Sequence, residues 1–168
     1  MPIQVALGDG PLVIALPRSG QHIPQLIRDR MMPDLDLADP ANASLDQVVR
    51  AMCQDISLVT AQFHPCVCDA NTPDPSHADA LAAERIGVVP STTRDGHPLW
   101  RRPPTMAEAV QWRALFYAPF HAALRAQIAR VRARHGYAVL ASFQTRHPSQ
   151  HVAASGTGIF VATPTQDP

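Results

Sequence analysis

Short continuous runs of apolar residues recur along the chain, and such runs are typical of buried β-strands. The clearest run extends from Leu12 to Leu16 and is followed by a Pro-x-Ser-Gly turn signal. Other largely apolar runs predict further strands over Ile56–Ala61, Cys66–Ala70, Tyr137–Phe143 and Gly158–Thr163. Strands that are apolar on both sides belong in a sheet whose two faces are covered by other elements.

Segments with apolar residues at helical spacing lie between these strands. A short helix is predicted over Ile23–Met32, with Pro24 near its first turn. A second helix is predicted over Ser44–Asp55, where Ser44 can act as the N-cap. A small alanine-rich helix is expected within residues 71–83, and a loop with an Asp-Gly-His-Pro turn within residues 87–99.

The longest helical pattern covers Thr105–His135. Thr105 and Glu108 have the spacing of a capping box, and Gly136 stands where a C-terminal cap is expected. Pro119 should kink or break this helix, because proline removes one backbone donor and crowds the preceding turn. The predicted inner stripe consists of Leu115, Phe116, Ala123, Ile128 and Val131.

Alternating strands and helices predict an α/β domain built on a largely buried sheet. The 168 residues fit one domain spanning positions 1–168. The formal net charge is zero, which argues against a general affinity for nucleic acid or for an anionic membrane surface. All 14 basic residues are arginine, so a catalytic lysine and a lysine Schiff base are excluded.

The chain contains three cysteines, Cys53, Cys66 and Cys68, and this small odd number favours a reducing compartment over a disulfide scaffold. The N-terminal segment lacks a basic region and is interrupted by Gly and Pro, so it does not resemble a signal peptide. No apolar run approaches the roughly 20 residues of a membrane span. We therefore expect a soluble bacterial protein of the cytoplasm.

Polar residues follow the predicted strands, where ligands of α/β domains bind. The candidate groups are residues 18–22 (RSGQH), 68–72 (CDANT) and 142–145 (SFQT), together with residues 93–96 (TRDG) on a loop. Taken singly, each group has an equally simple structural explanation, because turns after strands commonly contain such side chains.

In their order along the chain, these groups resemble the N-formylglutamate amidohydrolase family. PLVIALPRSGQHIP resembles the family's PLVxSxPHSGxxxP, CDANTPD its DxNRxP, and GVVPSTTRDGHPLW its GLxPxxTxDGxPLY. WRALFYAPFHAALRAQIARVRARHGYAVLASFQT resembles its RxxxYYxPYHxALxxxIxxxxxxxGxAxLxDCHS. The resemblance implies a zinc-peptidase-like, three-layer α/β sandwich with a mostly buried mixed sheet. For the family it implies metal-dependent hydrolysis of N-formylglutamate to formate and glutamate. The segment after SFQT is short where the family continues, so a C-terminally shortened fold is expected.

The chain departs from the family at the positions that the resemblance assigns to the metal. Arg18 and Gln144 stand at the two histidine ligands, and Asn42 aligns with the acidic ligand. Thr72 replaces a substrate-binding arginine, and Ser142 replaces an aspartate. A guanidinium has no lone pair to donate, and amide oxygens are poor ligands for zinc. Without a metal, nothing lowers the pKa of an attacking water toward neutrality.

We therefore expect a non-catalytic family member without a metal cofactor, which acts through its residual cleft by binding a partner protein or a small anionic ligand. Arg18 and Arg113 would supply the positive charge. The expected cleft residues are Arg18, Ser19, His22, Asp69, Asn71, Asp95, Arg113, His121 and Gln144. Loss of part of the fold should expose surface, so a homo-oligomer or a heterologous partner is also expected.

The rival hypothesis is an enzyme, namely a metal-dependent amidohydrolase that acts on N-formylglutamate or a related N-acyl amino acid through a rebuilt site. His64, Cys66 and Cys68 would alternate along the predicted strand and share one face. With His22 they could form a soft zinc site, although the spacing is unusual and cysteines are commonly buried for structural reasons. A cysteine nucleophile paired with His64 lacks a third orienting group.

Overall fold

Eleven elements make up the computed structural model, which describes residues 1–52, 55–72, 85–86, 88–93 and 95–145. In chain order these are β1 (Ile3–Ala6), β2 (Leu12–Leu16), α1 (Gln25–Arg28), α2 (Pro40–Met52), β3 (Ser57–Ala61), β4 (Arg85–Ile86), β5 (Val89–Pro90), α3 (Met106–Trp112), a π-helix (Arg113–Tyr117), α4 (Ala118–His135) and β6 (Val139–Ser142).

Four of the strands form one mixed sheet in the order β1–β3–β2–β6. β2 is parallel to both of its neighbours, whereas β1 is antiparallel to β3. β2 and β3 are the central strands and are buried almost along their whole length, as their continuous apolar runs predict. The predicted α/β class and mixed sheet are thus confirmed.

Helices cover both faces of this sheet. Successive side chains of a strand point to opposite faces, so the apolar residues of β2 and β3 contact helices on both sides. Ile14, Leu16 and Leu58 pack with Val49 of α2 on one face. Ala15 and Val59 belong to the larger cluster on the other face, which includes side chains of α3, the π-helix and α4. The elements therefore form three layers, with the carboxyl ends of β2 and β6 at the same edge of the sheet.

The two short helices begin and end at other residues than predicted. α2 starts at Pro40 because the Asp39 carboxylate accepts a hydrogen bond from the backbone N–H of Asn42, which makes Asp39 the N-cap and places proline at the first helical position. Ser44 instead donates its hydroxyl to the carbonyl of Pro40 one turn earlier. α1 ends at Arg28, and Met31 then pairs with Trp100 in an isolated β-bridge.

The long helix has the predicted ends and an unpredicted interior. Thr105 and Glu108 form the capping box, and Gly136 ends α4 with a φ of 79°. Pro119 does not break the helix, because the π-helix before it supplies a wider turn in which the N–H of Ala118 donates to the carbonyl of Arg113. No helix in the described part of the chain combines the length and the apolar content needed to cross a membrane.

The extra residue of the π-turn changes which side of the helix faces the core. Val131 is buried as the predicted stripe requires, but Leu115 is 60 % exposed. The predicted stripe requires an unbroken α-helix from Leu115 to Val131. The wider π-turn adds about one residue to the helical repeat, so the residues before it face a different side of the helix. Near this point Trp112 and Tyr117 are buried in the core, and Phe116 and Ala123 of the predicted stripe pack against it while partly exposed.

Two of the predicted strands differ in the structure. Residues 67–70 are buried and Cys66 is partly exposed, but residues 66–70 form a turn and irregular backbone. The N–H of Val67 donates to the His64 carbonyl, and the N–H of Asp69 donates to the Val88 carbonyl. β6 covers only Val139–Ser142 and is half-exposed within the described residues, so Tyr137–Phe143 is not the buried strand that was expected. The predicted strand Gly158–Thr163 and most of the alanine-rich helix lie outside the residues described.

An ion pair holds α3 against the segment that follows α1. The Arg30 guanidinium donates to both carboxylate oxygens of Glu108, at 2.5 and 3.0 Å, and lies 5.8 Å from the centroid of the Trp112 ring. Hydrogen bonds from Arg30 and Thr105 lower the pKa of Glu108 from 4.5 to about 2. Arg30 also donates to the carbonyls of Arg102 and Pro103, so it fixes the start of the long helix.

This pKa shift predicts a stability effect in acid. Because the folded-state pKa of Glu108 lies below its unfolded value of 4.5, the carboxylate stabilises the fold above that pH and loses this effect as the pH falls toward 2. The melting-temperature difference between the wild type and Glu108→Gln should therefore shrink over this interval. In an Arg30→Met background the same comparison should depend less on pH, because only the hydrogen bonds from Thr105 then lower the pKa of Glu108. A difference that stays constant down to pH 2 would contradict the assignment.

Candidate functional site

The turn after β2 is fixed by hydrogen bonds and by close backbone packing. The hydroxyl of Ser19 donates to the carbonyls of Leu16 and Ala61, at 3.2 and 3.4 Å, and the residue is buried. A Cβ at Gly20 would lie 2.3 Å from the carbonyl carbon of Gln62, so no other residue fits there without backbone movement. The turn is therefore rigid, and Ser19 has a structural role in it.

Arg18, at the tip of this turn, forms a bidentate ion pair with Asp69. Nε donates to Oδ1 at 3.1 Å and Nη2 donates to Oδ2 at 2.6 Å. The side chain of Asp69 is 4 % exposed and that of Arg18 is 22 % exposed. Parallel donors on a planar guanidinium match the two oxygens of a carboxylate, which makes this one of the stronger kinds of hydrogen-bonded pair. The charge of Arg18 is thus balanced within the protein.

Asp69 also organises the loop that follows it. Its Oδ1 accepts from the backbone N–H of Asn71 at 3.1 Å, and its Oδ2 accepts from the hydroxyl of Thr72 at 2.9 Å. The N–H of Thr72 donates to the Asp69 carbonyl. These bonds form an Asx-type turn, which satisfies the buried carboxylate and fixes the backbone of residues 69–72. Asn71 is exposed at the tip of the turn.

Three side chains spaced four residues apart along the π-helix and α4 hold this loop from the other side. The Arg113 guanidinium lies 5.7 Å from the centroid of the Tyr117 ring, and the Tyr117 and His121 rings are 4.1 Å apart. Tyr117 donates its hydroxyl to the carbonyl of Thr72, and Nε2 of His121 donates to the carbonyl of Ala70, each at 3.0 Å. His121 therefore contacts the loop at residues 69–72 directly.

Asn42 is completely buried and lies beside the end of β6. Its Oδ1 accepts from the N–H of Thr145 at 2.8 Å, and its side-chain amide donates to Asp39 at 2.6 Å. The preceding residue, Gln144, is exposed. Residues 18 and 144 follow the paired parallel strands β2 and β6. Residues 18 and 144, two of the three positions that the resemblance assigns to metal ligands, therefore follow neighbouring strand ends, and the third, Asn42, lies on α2 beside residue 145.

The side chains at these positions do not fit a zinc ion. Arg18 is a cation, and the Asp69 carboxylate beside it already accepts hydrogen bonds from Arg18, Asn71 and Thr72. Asn42 offers an amide oxygen that already accepts a backbone hydrogen bond. Within the described ranges, no three His, Cys, Asp or Glu side chains lie close enough to bind a metal together. We accordingly derive no catalytic step through a metal.

The alternative set of metal ligands is not assembled in the described residues. The expected alternation of His64, Cys66 and Cys68 along a strand is wrong, because this segment forms a turn. Nε2 of His64 donates to the Leu37 carbonyl at 2.9 Å, and Nδ1 accepts from the N–H of Cys66 at 3.0 Å. Both ring nitrogens are thus occupied. His22 is exposed and contributes its backbone to a bridge with Phe63.

The thiol of Cys68 is also unsuited to nucleophilic chemistry. Burial, reinforced by the neighbouring Asp69 carboxylate, raises its pKa from 9.0 to about 12. A thiol with such a pKa is protonated at neutral pH, whereas both nucleophilic attack and metal binding require the thiolate. The paired nucleophile considered from the sequence is therefore not supported by this environment.

Asp95 lies on an exposed turn between Thr93 and His97. The N–H of Thr93 donates to the His97 carbonyl at 2.8 Å, and Gly96 has a φ of 82°, which only glycine adopts readily. The predicted turn is confirmed. Asp95 is absent from the described residues that line the pocket at the sheet edge.

That pocket lies at the carboxyl ends of β2 and β6 and has a volume of about 210 Å³. Of the predicted cleft residues, Asn71 and His121 line it, and the remainder of the wall is mainly apolar. The lining consists of Ala15, Pro17, Ala70, Asn71, Thr72, Tyr117, Phe120, His121, Leu124, Leu140 and Ser142. The apolar members were missed. Their signal is the spacing of residues 117, 120, 121 and 124, which places them on one face of a helix.

Comparisons with known proteins agree with this architecture. The family model described as N-formylglutamate amidohydrolase matches residues 10–158, and the chain belongs to this family. It is 30 % identical over 138 residues to N-formylglutamate deformylase of Pseudomonas putida, covering 77 % of this chain and 49 % of the relative. It is 27 % identical over 141 residues to the Pseudomonas aeruginosa protein of the same name, covering 79 % and 51 %. The chain thus spans about half the length of these relatives.

The fold is similar to that of a solved N-formylglutamate amidohydrolase from Ralstonia eutropha. The TM-score is 0.62 at 23 % sequence identity, over 84 % of this chain and 56 % of the other. A gene product of Agrobacterium tumefaciens has a TM-score of 0.55 at 20 % identity, over 84 % and 55 %. These likenesses establish the fold. The zinc-peptidase-like architecture implied by the resemblance stays a prediction.

The ion pair of Arg18 predicts a large loss of stability when the cation is removed. Arg18→Met leaves the buried Asp69 carboxylate without its guanidinium, so the free energy of unfolding in urea should fall by about 3 kcal/mol. Adding Asp69→Asn to this variant removes the uncompensated charge and should restore part of the loss.

The matched control is Arg134→Met, which breaks the pair with Asp9. The side chains of Arg134 and Asp9 are 52 % and 74 % exposed, so this change should cost at most about 1 kcal/mol. Equal losses in the free energy of unfolding for Arg18→Met and Arg134→Met would show that the Arg18–Asp69 pair stabilises the fold no more than an exposed ion pair does.

Proposed function

We propose that this chain is a non-hydrolytic member of the N-formylglutamate amidohydrolase family that acts by binding. The observation that carries the proposal is the bidentate Arg18–Asp69 pair at the position that the resemblance assigns to a metal ligand. A guanidinium supplies positive charge there, but it has no open coordination position and cannot polarise a bound water as a Lewis acid does.

The other two assigned positions support the same proposal. Asn42 is engaged by Asp39 and by the backbone of Thr145, and Gln144 offers a neutral amide. Restoring a tetrahedral site would require new ligands at residues 18, 42 and 144 together, since catalytic zinc normally uses three protein ligands. A chain that no longer hydrolyses a substrate does not need these ligands, so all three positions can change.

A second candidate is a metal-dependent amidohydrolase, and what supports it is that the curated relatives are named as hydrolases. The curated relatives are named N-formylglutamate deformylases, at identities of 30 % and 27 %. Under this candidate the chain hydrolyses an amide bond of N-formylglutamate or a related N-acyl amino acid, with metal ligands other than residues 18, 42 and 144. The binding of a partner protein or a second copy of the chain stays a prediction.

Metal content and formate release separate the two candidates. Purified full chain should contain far less than one zinc per molecule and should release no formate from N-formylglutamate above the buffer blank. The Pseudomonas putida protein, named N-formylglutamate deformylase, serves as the positive control for formate release. Two results together would contradict our proposal: one zinc per molecule that is lost in His64→Ala or Cys66→Ala, and release of formate from N-formylglutamate. They would establish a hydrolase with a rebuilt metal site.

A further inference from the structure

The pocket at the carboxyl ends of β2 and β6 has a mainly apolar wall, with a few polar residues in it. Ala15 and Leu140 contribute from the sheet, and Phe120 and Leu124 contribute from α4. The volume of about 210 Å³ is below the range of roughly 300–1,000 Å³ that is typical of sites for drug-sized ligands. A molecule that fills this space is accordingly small and mainly apolar.

We infer that this pocket binds a small, uncharged, largely apolar molecule that carries one hydrogen-bonding group, such as a carboxamide. This inference rests on the proposed function, because it treats the pocket as a binding site and not as the substrate site of a hydrolase. It also differs from the small anionic ligand that the sequence predicts.

The described residues that line the pocket supply no charged partner for an anion. Among the described residues that line the pocket there is no arginine, aspartate or glutamate. Arg18 adjoins the lining residue Pro17, but its guanidinium is paired with Asp69 through two hydrogen bonds. Transferring a carboxylate into apolar surroundings without a cation costs far more than transferring a neutral amide that keeps a hydrogen bond.

The polar groups of the pocket are placed to meet one hydrogen-bonding group. Asn71 and Ser142 are lining residues of the pocket, and neither forms a side-chain hydrogen bond within the described ranges. Tyr117 and His121 instead use their donors on the carbonyls of Thr72 and Ala70. A carboxamide can donate to and accept from an asparagine amide and a serine hydroxyl, so it complements both.

A matched pair of probes tests the charge preference directly. 4-Methylpentanamide and 4-methylpentanoate have nearly the same shape and differ in charge at neutral pH. Titrated into uniformly ¹⁵N-labelled full chain at pH 7.5, the amide should shift the backbone resonances of Asn71, Thr72, Leu124 and Leu140. A dissociation constant on the order of 1 mM is expected for so small a ligand. The carboxylate should bind at least about tenfold more weakly than the amide.

Ser142→Arg should reverse this preference. The substitution adds a cation at the exposed rim, so the carboxylate should then bind more tightly than the amide. Val110→Arg is the matched control, because it adds the same charge at a position on α3 that is 59 % exposed and does not line the pocket. The control should keep the preference of the wild type for the amide.

Three results would overturn the inference: tighter binding of the carboxylate by the wild type, shifts of equal size with both probes, and no shift with either. The first of these would support the anionic ligand instead. Zinc content and formate release are measured separately, so failure of the ligand inference is distinguishable from failure of the proposed non-hydrolytic role.

Discussion

The buried ion pair between Arg18 and Asp69 is the interaction on which the arrangement of this site depends. It joins the turn after β2 to the loop at residues 69–72, two segments that are separated by 51 residues in sequence. The same carboxylate fixes Asn71 and Thr72, and their loop in turn receives the hydrogen bonds of Tyr117 and His121. One pair of charges thereby connects the sheet edge to the long helix. A metal ion can join several segments because it binds several ligands at once. Here the Arg18 guanidinium joins only two segments, the turn after β2 and the loop at residues 69–72, and it does so by hydrogen bonds.

The local parts of the fold could be predicted because their causes are local. The apolar run Leu12–Leu16 gave the central strand, and Thr105, Glu108 and Gly136 marked both ends of the long helix. The prediction of a strand at residues 66–70 is wrong because an apolar run indicates burial but does not by itself indicate a strand. The backbone donors of this segment are satisfied by neighbouring turns and by Val88, and an apolar run alone cannot distinguish these two cases.

The site could be predicted only in part, because its key contacts join distant segments. The substitutions at residues 18, 42 and 144 can be recognised from the motif, and the structure places Asn42 beside residue 145. The partner of Arg18 could not be read from the sequence, since nothing local links it to Asp69. Without that pairing, the charge of Arg18 appeared available to a ligand. The apolar pocket wall was missed for a similar reason, because Leu140 and Leu124 come together only when β6 packs beside β2 under α4.

The π-helix at Arg113–Tyr117 has a consequence for how this chain can change in length. A π-turn holds one residue more than an α-helical turn, so it is equivalent to a single insertion that the helix has absorbed. Deleting one residue there would return the backbone to an ordinary α-helix while α3 and α4 kept their relative orientation. A deletion elsewhere in α4 would rotate all later side chains by about 100° around the axis. Length variation within the long helix should therefore be confined to this one turn.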